Sequence, residues 1–206
     1  MELLPSNFES IDGWCSFNKA LKIMSIVDIN TQLIVEIGVF AGKSLLPLAL
    51  KLKAQNNGGK VIGIDPWTTQ AALEGTNAPE NDDWWSKLDY EYFYNYTQKL
   101  MKTNQVDSVV QLMRKKGEDC INDFDDETIS ILHIDGNHSE ETSTRDVNMW
   151  YVKVSKGGFI IFDDTNWPTT KKAQGLLLEK GFEEKYESLE GEKDGCEWKL
   201  YQRKLD

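Results

Sequence analysis

Cysteine and positive charge are both scarce in this chain. The three cysteines, Cys15, Cys120 and Cys196, are widely spaced and form no CxxC pair, so we expect reduced thiols and a cytosolic protein. Lysine and arginine number 23 against 34 acidic residues, which leaves a formal net charge of −11. A nucleic acid or an anionic membrane surface would need a basic face, and this balance argues against both as partners.

Long apolar runs, internal repeats and low-complexity segments are also missing. Residues 1–13 are acidic and lack the apolar stretch of a signal peptide, and no run is long enough to cross a membrane. The remaining composition, 40% hydrophobic and 28% charged, is that of an ordinary globular protein. We therefore expect a single domain over residues 1–206, with a helical segment at 1–30 and a full core.

Two familiar nucleotide-binding motifs are absent from the glycine turn where they would be expected. An apolar run from Leu33 ends in an acid, Glu36, and Gly38 and Gly42 then make a tight turn into an amphipathic stretch. This strand, turn and helix start would bring a nucleotide-like ligand against backbone N–H groups. A phosphate loop needs four residues between its glycines, however, and this loop has three. The GxGxxG pattern of dinucleotide sites is missing as well.

Strands and helices alternate along the chain, which predicts an α/β, Rossmann-like fold with a mostly parallel sheet and helices on both faces. We expect seven strands, the last two joined by a turn at 190–195 without a helix, so that one runs antiparallel at or near an edge. After the strand that begins at residue 33, the strands are predicted at 60–65, 108–113, 128–135, 157–163, 183–189 and 196–202. The helices are predicted at 14–27, 45–53, 81–103, 117–124, 139–152 and 170–180.

Carboxylates stand at the ends of two later apolar strands. Asp135 ends the fourth strand, and Asp163 and Asp164 end the fifth, on the edge where open α/β sheets bind ligands. Three anionic groups would repel one another there unless a cation neutralises them, and all-oxygen ligation suits magnesium, calcium or manganese. We therefore predict a divalent metal site, with Mg²⁺ as the expected ion. The alternative is that Asp163 or Asp164 caps the loop before the next helix.

The chain resembles the class I methyltransferases that use S-adenosylmethionine. The resemblance rests on Glu36-x-Gly38-x-x-x-Gly42 and on the acid Asp65 at the end of the second strand, and it extends from about residue 14 to the C-terminus. It implies that the backbone around Gly38 and Gly42 approaches the methionine part of the cofactor. It also implies that Glu36 orients the amino group of the cofactor and that Asp65 holds the ribose hydroxyls.

The same resemblance implies further cofactor contacts. Ser44, Trp67 and Asp135 are counted among them. The family's adenine-contact segment corresponds to residues 114–120. Gly117 stands there in place of the usual serine, so adenine contacts would come from the backbone.

A more specific resemblance is to the metal-dependent O-methyltransferases, especially the branch of macrocin O-methyltransferase, which acts on a sugar hydroxyl. It rests on Leu132-His133-Ile134-Asp135-Gly136-Asn137-His138 and on the strand that ends in Asp163 and Asp164. It implies O-methylation of a small-molecule, sugar-like acceptor with a metal on the three aspartates. Asp135 and His138 would carry the catalysis, with His138 as general base where the catechol branch usually has a lysine.

Other interpretations of these residues stay open at this point. His138 lies in a turn beside acids, where surface capping is its alternative role. His133 lies in the middle of an apolar strand, which favours a core residue with a satisfied hydrogen bond. For the whole chain, the alternatives are a phosphate-loop nucleotide hydrolase, in which Asp135 or Asp163 serves magnesium, and a non-catalytic cofactor-binding module.

Aromatic residues crowd the insertion at 66–103, between the second and third strands. At helical spacing such residues usually belong to the core, but these exceed what one helix face can bury. We expect the remainder to form a lid, to line an acceptor pocket or to contact a second copy in a homodimer. They are Trp67, Trp84, Trp85, Tyr90, Tyr92, Phe93, Tyr94 and Tyr96.

Overall fold

The computed structural model describes residues 3–188 and 197–205. Its strands are β1 (Leu33–Ile37), β2 (Lys60–Ile64), β3 (Val110–Met113), β4 (Ile129–Ile134), β5 (Val154–Phe162), β6 (Phe182–Glu187) and β7 (Lys199–Arg203). Its α-helices are α1 (Phe17–Ser25), α2 (Leu45–Gln55), α3 (Thr69–Ala72), α4 (Pro79–Ser86), α5 (Tyr90–Thr103), α6 (Gly117–Cys120), α7 (Glu140–Trp150) and α8 (Lys171–Glu179). The predicted turn at 190–195, with Leu189 and Cys196 beside it, falls outside the described residues.

The strands form one sheet in the order β3-β2-β1-β4-β5-β7-β6. The pairs from β3 to β5 are parallel, whereas β7 runs antiparallel to both β5 and β6. This arrangement confirms the predicted Rossmann-like sheet with an antiparallel pair at its C-terminal end. A helix between β6 and β7 would have been needed to keep them parallel, and the chain between them is too short for one.

The core lies on both faces of the sheet because successive side chains of a strand point to opposite faces. Ile34 of β1 packs on the face covered by α1, α2 and α5, and Val35 packs on the face covered by α7 and α8. Both side chains are fully buried. Within the described ranges, the structure has no helix of the length and apolarity needed to span a membrane.

The register of the parallel strands brings four strand ends into one row. Ile37 of β1 pairs with Ile64 of β2 and with Ile134 of β4, which is followed across the sheet by Phe162 of β5. The residues that come next along the chain therefore meet at the same edge of the sheet. They are Gly38, Asp65, Asp135 and Asp163.

The insertion differs from its prediction in two places. The helix expected over 81–103 is broken into α4 and α5, and the side chain of Asp89 caps the second helix by accepting a hydrogen bond from the Tyr92 N–H at 2.9 Å. Aspartate at this position competes with helix continuation because its side chain satisfies a free N–H group of a new first turn. The segment 66–80, which lies outside the predicted helices, contains the short helix α3 and the first residues of α4.

A glycine-to-alanine pair tests how the first loop is packed against α5. Gly42 has φ +81, and a Cβ there would lie 3.0 Å from Thr97 and Met101, whereas Gly58 has φ +82 and open space around it. We expect Gly58→Ala to lower the free energy of unfolding by about 1–2 kcal/mol, the cost of the left-handed backbone. Gly42→Ala should cost about 1 kcal/mol more because it also crowds the helix. Equal losses in urea unfolding would contradict this packing.

Candidate active site

A cavity of about 670 Å³ opens at the edge of the sheet where the parallel strands end. Its volume is in the range of small-molecule sites. The loops after β1, β2, β4 and β5 form one side of it, and the insertion forms another. Most of the predicted site residues line it, namely Gly38, Ser44, Asp65, Trp67, Gly117, Asp135, His138, Asp163 and Asp164.

Asp65 organises the loop that follows β1. Its Oδ2 accepts hydrogen bonds from the N–H groups of Val39 and Phe40, both at 3.0 Å, and its Oδ1 accepts one from the Trp67 N–H at 2.6 Å. Burial raises the pKa of Asp65, and these three hydrogen bonds oppose that rise. A carboxylate has about four lone-pair positions, so about one remains for a ligand.

Two predicted cofactor contacts, Glu36 and Gly42, are not among the residues that line the cavity. They lie behind its wall. Glu36 is fully buried, and its Oε1 accepts a hydrogen bond from the Ser44 hydroxyl at 2.8 Å. Its Oε2 lies 3.1 Å from Nδ1 of His133. Any effect of Glu36 on a bound molecule therefore passes through Ser44, which does line the cavity. Gly42 faces α5 and provides the space for that helix.

Asp163 is held by two basic groups inside the protein. Its Oδ2 forms an ion pair with the Lys19 ammonium, and its Oδ1 lies 3.2 Å from Nε2 of His133. Although burial alone would raise the pKa of Asp163, Lys19 and His133 hold it well below its usual range. Burial alone would lower the pKa of His133, but Asp163 and Glu36 outweigh it and raise the pKa to about 10. His133 is buried as predicted, and its partners are two carboxylates.

Lys19 is the main site-forming residue that the sequence reasoning missed. In α1 the apolar Leu21 is 46% exposed, whereas Lys19 is 1% exposed. The buried face instead consists of Lys19, Ala20, Ile23 and Met24. The sequence carries no clear signal for this burial, because a lysine is almost never fully buried unless its charge is paired and the partner lies far along the chain.

His138 and Asp164 form a second pair, closer to the cavity. Nε2 of His138 lies 2.9 Å from Oδ2 of Asp164, and the imidazole ring is 5.1 Å from the Trp167 ring. Burial lowers the pKa of His138, but Asp164 outweighs this effect and raises it. Asp164 adopts a left-handed backbone conformation, with φ +52, which is uncommon for a residue with a side chain.

Of the carboxylates at the strand ends, Asp135 has the fewest hydrogen-bond and ion-pair partners. Among residues 3–188 and 197–205, no hydrogen bond or ion pair reaches its side chain, and it lines the cavity. Burial and the negative charge of Asp163 raise the pKa of Asp135 well above its usual value. Such a group attracts a cation or a hydrogen-bond donor.

Two sets of side chains place ligand atoms close enough for one metal ion. Asp135 belongs to both, and within each set all the ligand atoms lie within 4.8 Å of one another. The first set adds His133 and Asp163, where Lys19 already provides the positive charge. The second set adds His138 and Asp164 and is the one that fits a cation without displacing a lysine. Its two carboxylates are ligands of the kind that magnesium and manganese take.

The insertion contributes an aromatic wall to the cavity. Trp14, from the segment before α1, packs on Phe40 at a ring distance of 5.6 Å and on Trp84 at 5.2 Å. Trp14 and Trp84 remain 42% and 41% exposed. Part of the aromatic surplus thus lines the cavity, with Trp14 as an addition from outside the insertion. The predicted contact with a second copy stays a prediction.

Comparison with known proteins identifies the family of this chain. A family model described as a methyltransferase domain matches residues 35–165. An uncharacterised protein of Acanthamoeba polyphaga mimivirus is 32% identical over 134 residues, which cover 63% of this chain and 50% of that protein. The chain therefore spans about half the length of this curated relative.

Solved structures with the same fold include two O-methyltransferases. The O-methyltransferase from Bacillus cereus, solved in complex with S-adenosylhomocysteine (SAH), superposes with a TM-score of 0.67 at 16% identity, over 97% of this chain and 86% of that one. A S-adenosylmethionine-dependent O-methyltransferase from Thermotoga maritima gives a TM-score of 0.65 at 12% identity, over 98% of this chain and 72% of that one. The fold and the family model confirm the predicted class I methyltransferase, and the chain belongs to the methyltransferase-domain family.

Proposed function

We propose that this protein is an S-adenosylmethionine-dependent O-methyltransferase that acts on a hydroxyl of a small, sugar-like acceptor. The observation that carries the proposal is the convergence of Asp135 and His138 with the loop after β1 in a single cavity. A methyl donor on that loop and a hydroxyl beside His138 would then be neighbours. The O-methyltransferases with the same fold support this choice of reaction.

The cavity wall offers separate contacts for the parts of the cofactor. The remaining acceptor position of Asp65 suits one ribose hydroxyl, because its other three positions already accept the N–H groups of Val39, Phe40 and Trp67. The backbone at Gly38 and the hydroxyl of Ser44 lie on the side proposed for the methionine part. Gly117 lies on the side proposed for the base.

A divalent cation fits beside Asp135 and Asp164. Such a cation would lower the pKa of an acceptor hydroxyl and neutralise the two carboxylates. The third predicted ligand, Asp163, would first have to give up its ion pair with Lys19. We therefore assign the cation to Asp135 and Asp164 and assign Asp163 to the buried pair.

His138 is the proposed general base. With Nε2 turned towards Asp164, Nδ1 is left to accept the proton of the acceptor hydroxyl, and Asp164 stabilises the imidazolium that forms. S-adenosylmethionine, when bound, would supply the methyl group, and its sulfur would keep the electron pair of the broken carbon–sulfur bond as the hydroxyl oxygen bonds to the methyl carbon. The aromatic wall offers flat apolar surfaces to a sugar ring.

Methyl transfer from labelled S-adenosylmethionine to a panel of glycosides tests the reaction. We expect transfer to at least one hydroxylated acceptor, its loss in EDTA and its return with magnesium or manganese. Transfer at full rate in EDTA would remove the cation from the proposal. A protein that binds the cofactor but transfers no methyl group to any acceptor of the panel would favour a non-catalytic binding module.

Metal binding is also measurable without turnover. We expect calorimetric titration with Mn²⁺ to show one site that weakens at least tenfold in Asp164→Asn, because one of two carboxylate ligands is lost. The matched control is Asp107→Asn, which removes the same charge from an exposed loop and should leave the affinity unchanged. Equal Mn²⁺ affinities for both variants would contradict the assignment.

A further inference from the structure

Asp146 of α7 is a buried acid in the cavity wall that the proposed reaction does not use. It is 6% exposed, and it lines the cavity at some distance in sequence from the aspartates of the strand ends. Its Oδ2 lies 3.4 Å from the position of a Cβ on Gly136, and its Oδ1 lies 3.9 Å from that of a Cβ on Gly117. The carboxylate is therefore next to two residues that have no side chain.

The carboxylate of Asp146 has no donor of its own. Within the part of the chain that the structure describes, neither oxygen accepts a hydrogen bond or forms an ion pair. Burial raises the pKa of Asp146 to about 7, and the neighbouring charge of Arg145 only partly opposes this rise. A buried acceptor without a partner is costly, so a ligand that brings an N–H group to it would be stabilised.

The neighbouring acid, Glu118, differs from Asp146 in this respect. It also lines the cavity, but its Oε1 lies 3.4 Å from Arg145 and 3.8 Å from Lys116. Arg145 and Lys116 in turn both bind Glu74 in the insertion. The charges of these four side chains neutralise one another. Among the described residues, Asp146 is therefore the acid on this side of the cavity that has no ion-pair or hydrogen-bond partner.

A hydrogen-bond donor lies close to the same space. The indole N–H of Trp150 is buried and has no acceptor among the described residues. It lies 3.3 Å from the position that a Cβ on Gly117 would take. The space left by the missing side chain of Gly117 is thus bordered by a free N–H donor and a free carboxylate acceptor. An adenine edge carries the complementary pair, an exocyclic N6 amine that donates and a ring nitrogen that accepts.

We propose that Asp146 reads the adenine of the bound cofactor by accepting a hydrogen bond from its N6 amine. The proposal rests on the proposed function, because it takes the ligand to be S-adenosylmethionine or SAH. Asp65 then fixes the ribose, and Asp146 selects adenine over a base that carries a carbonyl oxygen at the same position. A hypoxanthine base would turn that oxygen towards the carboxylate and leave both acceptors without a donor.

The test compares SAH with S-inosyl-L-homocysteine, which differs only at this edge of the base. Calorimetry on the wild-type protein, at a pH above the Asp146 pKa of about 7 so that the carboxyl group is ionised, should show a preference for SAH of about 10- to 100-fold, the range for a hydrogen bond to a charged group. Asp146→Asn has the same shape and can turn an amide N–H towards the carbonyl oxygen. We expect it to reduce the preference at least fivefold, while the control Asp107→Asn keeps the wild-type ratio.

The outcomes separate this proposal from the proposed function. Wild-type protein that binds SAH and the inosyl analogue equally well would overturn the role of Asp146, whether or not the variant folds. An unchanged preference in a folded Asp146→Asn protein would overturn it as well. In both cases the binding of SAH would still support the proposed function. Failure of the wild-type protein to bind SAH at all would overturn the proposed function and, with it, the reading of adenine.

Discussion

Replacing Lys19 by methionine should lower the free energy of unfolding by about 3–5 kcal/mol, because it leaves the buried Asp163 without its ammonium partner. Methionine has nearly the length of lysine, so the change removes the charge and little packing volume. Both side chains of the pair are almost fully buried. Among the described residues, His133 would then remain as the one basic group in contact with Asp163, beside the carboxyl groups of Asp135 and Glu36.

Urea unfolding of three variants tests this expectation. The matched control is Lys99→Met on α5, an exposed lysine, and it should change the free energy of unfolding by less than about 0.5 kcal/mol. The double variant Lys19→Met with Asp163→Asn should recover part of the loss, because the uncompensated charge is gone. If Lys19→Met costs no more than Lys99→Met, the buried pair does not hold α1 to the sheet.

Turnover should fall by about 10²–10⁴ in His138→Ala, the usual contribution of a positioned general base. An aliphatic hydroxyl is too weakly acidic to ionise unaided near neutral pH, so the proton needs an acceptor in the transition state. The affinity for SAH should change little, because His138 lies on the side of the cavity proposed for the acceptor. Rates would be compared by transfer of labelled methyl to the same acceptor.

Chemical rescue distinguishes a base from a residue that only shapes the loop. Added imidazole should restore part of the turnover of His138→Ala, because it can occupy the space and accept the proton. A structural role would give no such recovery. Near-normal turnover of His138→Ala on a verified acceptor would instead return this residue to a capping role beside Asp164.

The strand ends could be predicted from the sequence because their signals are local. Each apolar, β-branched run stops at an acid or a glycine, and parallel strands place those stops on one edge. Asp65, Asp135 and Asp163 were therefore expected to share an edge with Gly38, and the register confirms it. The antiparallel pair at the C-terminal end followed in the same way from the short connection before it.

The partners of the buried charges could not be predicted, because they come from distant parts of the chain. Lys19 precedes Asp163 by 144 positions, and only the packing of α1 against the sheet brings them together. The same holds for Trp14, which joins the aromatic wall from outside the insertion. The three aspartates could suggest a metal, but the sequence could not reveal that one of them already has an ammonium group beside it.

Calorimetric titration of the wild-type protein with SAH, and with ATP as the comparison ligand, tests whether the cavity is a site for S-adenosylmethionine. We expect saturable binding of one SAH per chain and much weaker binding of ATP, which shares the adenosine but whose phosphates the loop after β1 is too short to encircle. Tight binding of ATP with no response to SAH would contradict both the cofactor site and the methyltransferase function proposed for it.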